Sequence, residues 1–114
     1  MAGVSDGSNA PKGARRQPRI SGPFQARRLG AIDIDLIIHD LSITGCLIES
    51  FHEVPVGTRM KIEIDLPSEG TVQLDAEAVS VRHDFGFAVK FVEMTPQVRV
   101  QLARTVVQRL KTRG

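Results

Sequence analysis

The chain has no tryptophan, no tyrosine and a single cysteine, and it holds no long unbroken apolar run. Each absence removes a class of function. Without Trp or Tyr, a nucleobase could stack only on one of five phenylalanines, which counts against a general single-strand nucleic-acid binder. Cys46 alone closes no intrachain disulfide and offers no cysteine cluster for zinc; it fits a reducing compartment and reads as a small buried strand residue. His39, His52 and His83 fall in separate segments without metal-ligand spacing, so no metal site is expected. A bilayer crossing needs about eighteen apolar residues in succession, and the N-terminus lacks the apolar segment of a secretory signal. These features predict a cytoplasmic protein with no membrane insertion. No nucleophile–base pair stands out, and Asp33, Asp35, Glu63 and Asp65 read as solvated strand faces rather than a catalytic carboxylate pair. No catalytic residue is therefore assigned, and the chain is read as a non-enzyme.

What is present is charge, unevenly placed. Over residues 1–30, six basic side chains stand against one acidic, a net of +5. Residues 31–93 reverse this, with four basic and twelve acidic side chains, a net of −8. Residues 94–114 add five basic side chains and no acidic ones. A basic arm, an acidic body and a basic tail do not make a uniformly nucleic-acid-seeking surface; the positive charge is local, as a discrete anion site requires. At 114 residues and 41% apolar composition, one small domain with a real core is expected.

Residues 1–14, rich in Gly, Ser, Asn, Ala and Pro, predict a disordered leader. A flexible arginine arm follows over 15–22, and Ser21-Gly22-Pro23 predicts a break before the first strand. From Phe24 onward the dominant period is two. Phe24 and Ala26 begin a short strand, and Ile32, Ile34, Leu36 and Ile38 alternate with polar neighbours in a second. The turn Asp40–Gly45 leads to a third strand over 46–50. Met60–Leu66 and Val72–Ala78 are joined by the hairpin loop Pro67–Gly70, and Phe85, Phe87, Val89 and Phe91 form the last strand. Thr95-Pro96 then opens a helix, with a capping hydroxyl and Pro at the first helical position. Val98, Leu102, Val106 and Leu110, with Ala103 and Val107, predict one core-facing stripe, and Arg99, Arg104 and Arg109 face away. Six short strands followed by one helix predict a mainly β fold: a small six-stranded antiparallel barrel over 23–92 with a C-terminal helix over 95–112.

Two short stretches carry the chemistry. Arg15-Arg16-Gln17-Pro18-Arg19 is a cluster of guanidinium forks, which grip phosphate or the O6/N7 edge of guanine with paired bonds. Asp40-Leu41-Ser42-Ile43-Thr44-Gly45 is a turn that presents a carboxylate, a hydroxyl and a glycine. The carboxylate can accept from guanine N1–H and N2–H. The hydroxyl can donate to a phosphate oxygen or orient the turn, and the glycine permits positive φ or close backbone approach. Arg16 or Arg19 could stack on a guanine face, which matters where Trp and Tyr are absent. Arg82, just before the final turn, is a secondary candidate for lining the site. Alone, an arginine run reads as solvated charge and D-x-S-x-x-G as a polar turn; together they point to a pocket for an anionic guanine nucleotide.

R-x-x-x-R at Arg15 and Arg19, followed by D-x-S-x-x-G at Asp40, Ser42 and Gly45, resembles the PilZ domain family. So does the glycine-flanked last strand, Phe85–Phe91. The resemblance covers roughly residues 15–110, and a single domain is placed over 15–112. It implies a β-barrel that binds cyclic di-GMP through Arg15, Arg16, Arg19, Asp40, Ser42 and Gly45. It also implies that the domain passes the signal to an unidentified downstream protein in motility, biofilm or exopolysaccharide control. No cofactor beyond that ligand is implied, and nucleic acid is not an expected partner. Two rivals stand beside this reading: a nucleotide-independent PilZ-like interaction module, and a nucleic-acid-binding barrel that uses the arm electrostatically.

Overall fold

A computed structural model describes residues 17–113. Six strands form: β1 (Ile20–Leu29), β2 (Ile34–Leu41), β3 (Gly45–Glu49), β4 (Arg59–Leu66), β5 (Gly70–Arg82) and β6 (Gly86–Glu93). The helix α1 (Pro96–Arg113) follows. The strands close in the order β1-β2-β3-β6-β5-β4, with β4 returning to β1, and every pair is antiparallel. Closure leaves no edge strand among the described residues. The leader 1–14, Arg15 and Arg16 lie outside the described residues.

The period-two pattern explains the interior. Leu36 and Ile38 of β2, Cys46 and Ile48 of β3, and Met60, Ile62, Ile64 and Leu66 of β4 point inward. Val72, Leu74, Ala76 and Ala78 of β5 join them, with Phe87 and Val89 of β6. Alanines on β5 face bulkier residues on other strands, so large and small side chains interdigitate in a narrow cylinder. Burying each of the larger aliphatic side chains contributes roughly 1.5–3 kcal/mol. Ile32, expected at the start of the second strand's stripe, instead lies exposed in the β1–β2 turn.

The expected break at Ser21-Gly22-Pro23 is a bulge inside β1, not a gap before it. Ile20 pairs with Leu41 and Ser21 with Asp40, the register then shifts, and Phe24 pairs with Ile38. The Gly22–Pro23 peptide is cis. A Cβ on Gly22 would overlap the Ile38 carbonyl oxygen, so only glycine lets β1 pass this close to β2. Glycine and proline therefore announce a bulge here, where the sequence reads as a chain break.

α1 begins as expected, with the Val98 N–H donating to Thr95 Oγ1 at 3.2 Å. It packs against the β4–β5 turn and the start of β1. The single expected stripe is corrected. Leu102, Thr105 and Val106 are buried and Val98 is half-buried, but Val107 and Leu110 are exposed. Arg99 is exposed as expected, but the other two arginines find partners on the barrel. Arg104 makes a fork onto Glu69, with both N–O distances 3.0 Å. Arg109 turns back to donate from Nη1 to the Ser21 carbonyl at 2.6 Å and lies over the Phe24 ring at 5.3 Å. Among the described residues, no helix is long and apolar enough to cross a membrane.

Ile62 is fully enclosed on β4. Ile62→Ala is expected to lower the free energy of unfolding by about 2–5 kcal/mol through lost burial and the cavity left behind. A urea titration followed by far-ultraviolet circular dichroism measures this. A loss under about 1 kcal/mol would show that the barrel interior is not packed as described.

Candidate functional site

The two sequence motifs meet at one corner. Ile20, fully buried opposite Leu41, anchors the start of β1 in the core. This anchor sets the preceding residue, Arg19, beside the end of β2. There Arg19 Nη1 donates to Asp40 Oδ1 at 2.5 Å across 21 residues of sequence. A second register shift, between Ile38 and Asp40 in the β2–β3 pairing, falls at the same place. Bulges on adjacent strands re-aim side chains, and here both flank the carboxylate that the arginine reaches. Arg109 of α1, bonded to the Ser21 carbonyl, holds the bulge from the other side.

Solvent weakens this ion pair. The Arg19 side chain is 58% exposed and that of Asp40 24%, so the pair is worth about 0–1 kcal/mol. It positions a guanidinium and a carboxylate side by side without locking either, and a ligand that offers both of them better partners can take them cheaply.

Ser42 sits differently. It is 1% exposed, and its hydroxyl is occupied within the turn. Oγ accepts from the Thr44 N–H and the Gly45 N–H, both at 3.2 Å, and donates either to the Gly45 carbonyl or to Thr44 Oγ1, each at 3.2 Å. The Ser42 N–H donates to the same carbonyl at 2.9 Å. Of the two roles open to this hydroxyl in the sequence, orienting the turn is the one the geometry shows.

Gly45 begins β3 and pairs with Lys90 of β6. A Cβ at Gly45 would overlap the Val89 carbonyl oxygen and come within 3.2 Å of the Lys90 Cα. Close backbone approach, rather than positive φ, is the reason for glycine at this position. The pairing also brings the exposed Lys90 to the corner. Sequence reading passes over Lys90 because its neighbour is set by cross-strand register, which leaves no local mark.

Arg82 lies at the opposite rim. It pairs with Gly86, which in turn pairs with Glu49 at the far end of β3 from Gly45. Four residues of strand, roughly 13 Å, separate these levels.

Behind the corner lies Cys46, fully enclosed, whose thiol is pushed well above its usual range by burial, with the Asp40 charge adding to the effect. It stays protonated and is no nucleophile. Among the described residues, no group of three or more His, Cys, Asp or Glu could hold a metal ion. A groove of about 590 Å³ bordered by Lys61, Asp75, Glu93 and Arg99 shares none of the corner's residues, and its two carboxylates oppose an anion.

The PilZ domain family matches this chain over residues 14–108. The chain belongs to the PilZ domain family. Among solved structures, this PilZ domain is similar to Escherichia coli YcgR in complex with c-di-GMP, with a TM-score of 0.73 and 24% identity. That alignment covers 86% of this chain and 46% of YcgR. The separate PilZ domain of YcgR with c-di-GMP aligns with a TM-score of 0.67 at 22% identity, covering 86% of this chain and 92% of that one. The Bacillus subtilis inhibitor of motility, MotI/DgrA, gives 0.70 at 16% identity, covering 88% and 52%. The chain thus spans about half the length of YcgR and MotI. At these identities the similarity is one of fold. No curated protein matches the chain.

Ser42→Ala leaves the buried Gly45 N–H and the part-buried Thr44 N–H without their acceptor. Unfolding in the absence of any ligand is expected to become easier by about 1–3 kcal/mol. Unchanged stability, with only ligand affinity lost, would show that the hydroxyl serves a ligand and not the turn.

Proposed function

We propose that this PilZ domain is a receptor for cyclic di-GMP that acts by binding, with no bond made or broken. The observation that carries the reading is the Arg19–Asp40 contact, which puts one side chain of each motif on the same corner. In this reading Asp40 accepts from the N1–H and N2–H edge of a guanine. Arg19, released from Asp40, forks onto a phosphate or the guanine O6/N7 edge, with Arg15 and Arg16 supplying further guanidinium groups. Lys90 adds a cation on the β6 side of the corner. Ser42 and Gly45 act through the backbone, holding the turn that presents Asp40, and Arg82 is a peripheral candidate at the far rim.

Magnitudes favour the exchange. Breaking the solvent-exposed Arg19–Asp40 pair costs about 0–1 kcal/mol, while each hydrogen bond to a charged group returns about 1.5–3 kcal/mol. Ligand binding re-seats Arg19 at the head of β1, and the Ser21–Arg109 bond links that segment to α1. A partner that reads the altered surface would carry the signal into motility, biofilm or exopolysaccharide control in the cytoplasm. The c-di-GMP bound to YcgR and the motility inhibition in the name of MotI support this direction.

Isothermal titration with cyclic di-GMP tests the proposal and gives the stoichiometry. Wild type is expected to bind, and Arg19→Ala to bind about 10- to 150-fold more weakly, the equivalent of losing one charge-assisted fork. No heat of binding would return the chain to a nucleotide-independent interaction module, and equal affinity in the variant would show that Arg19 does not hold the ligand.

A further inference from the structure

α1 carries a second apolar stripe beside the one that packs on the barrel. Val98, Leu102, Thr105 and Val106 turn to the barrel. Val100, Val107 and Leu110 turn from it and are 49%, 52% and 38% exposed, with the half-buried Ala103 between them. Nothing among the described residues covers them. Their spacing is three, four and three residues, the a-d-a-d order of a heptad seam. With 1.5 Å of rise per residue, the seam is about 15 Å long.

The positions flanking the seam decide what fits it. Counting Val100 as a, the e positions are Arg104 and Lys111 and a g position is Arg99. The helix contains no acidic residue. Arg104 is partly neutralised by Glu69, whereas Arg99 and Lys111 pair with no carboxylate among the described residues. In two-stranded coiled coils, e and g charges set partner choice, and valine at a favours two strands. A second copy of the helix would set cations against cations whether it ran parallel or antiparallel. The N-terminal sixteen residues bring Lys12, Arg15 and Arg16 against one Asp6, so their charge is also wrong for this seam.

We propose that this outer seam docks an acidic amphipathic helix of another protein, with apolar a and d residues against Val100, Ala103, Val107 and Leu110. Glutamates of that helix would lie beside Arg99, Arg104 and Lys111. Two heptads bury little surface, so the contact is transient. The proposal stands independently of the ligand reading.

The probe is an end-capped peptide of about five helical turns, with leucine at a and d and glutamate elsewhere. It is titrated into the whole chain while valine and leucine methyl resonances are followed. Saturable shifts are expected at Val100, Val107 and Leu110, with no such response to a peptide carrying lysine in place of glutamate. Val100→Ser/Val107→Ser is expected to weaken binding about tenfold or more. Arg99→Glu/Lys111→Glu, which leaves the apolar seam intact, is expected to do the same and carries the test if the serine variant disturbs the core methyls. An absent response to the glutamate peptide, or an equal one to the lysine peptide, overturns the proposal. So does a concentration-dependent dimer through this face, or displacement of the peptide by vesicles of anionic lipid.

Discussion

A guanidinium and a carboxylate 2.5 Å apart, drawn from segments 21 residues apart in sequence, define the corner on which the proposed site rests. Everything around them serves to set that distance. Ile20 buried against Leu41 fixes where β1 starts, and the two register shifts turn Asp40 toward Arg19. Because the pair is largely solvated, its own energy is small. The position is therefore held by the barrel and not by the charges. This separation of duties suits a receptor, since apolar packing supplies the rigidity and the charged groups stay available for a ligand.

The turn that carries Asp40 illustrates the same division. Ser42 is sealed inside it, its hydroxyl accepting from two backbone N–H groups, of which that of Gly45 would otherwise be buried without a partner. Gly45 makes room for β6 to approach. Of the motif D-x-S-x-x-G, then, one residue faces outward with chemistry to offer and two build the surface that presents it. On the opposite side, Arg109 joins α1 to the bulge behind Arg19. The corner and the helix are thereby linked through the Arg109–Ser21 bond and the Arg109 contact over Phe24.

Much of this is legible in the sequence, for a physical reason. Strands with one face buried must alternate, so Leu36, Ile38, Met60, Ile62, Ile64 and Leu66 declare themselves, and the antiparallel barrel and terminal helix follow. Motifs in order along the chain likewise identify Arg19 and Asp40 as residues to bring together. What is not legible depends on neighbours remote in sequence. A bulge and a chain break use the same residues, so Gly22-Pro23 is ambiguous until Ile38 is seen against it. Lys90 reaches the corner only through the β3–β6 register. On α1 the inner and outer stripes interleave, and a pattern of apolar residues merges Val107 and Leu110 with the core set, although they stand on the solvent side. Arg15 and Arg16 remain assigned by sequence alone.

The central claim is that Arg19 and Asp40 form one site and exchange their mutual contact for contacts with a single ligand. A double-mutant cycle of Arg19→Ala and Asp40→Ala, read as cyclic di-GMP affinity by calorimetry, tests it most directly. The account predicts a coupling of about 0.5–3 kcal/mol between the two substitutions, as expected for residues in contact within one network. Losses that add to within about 0.3–0.5 kcal/mol would show two independent residues and contradict it.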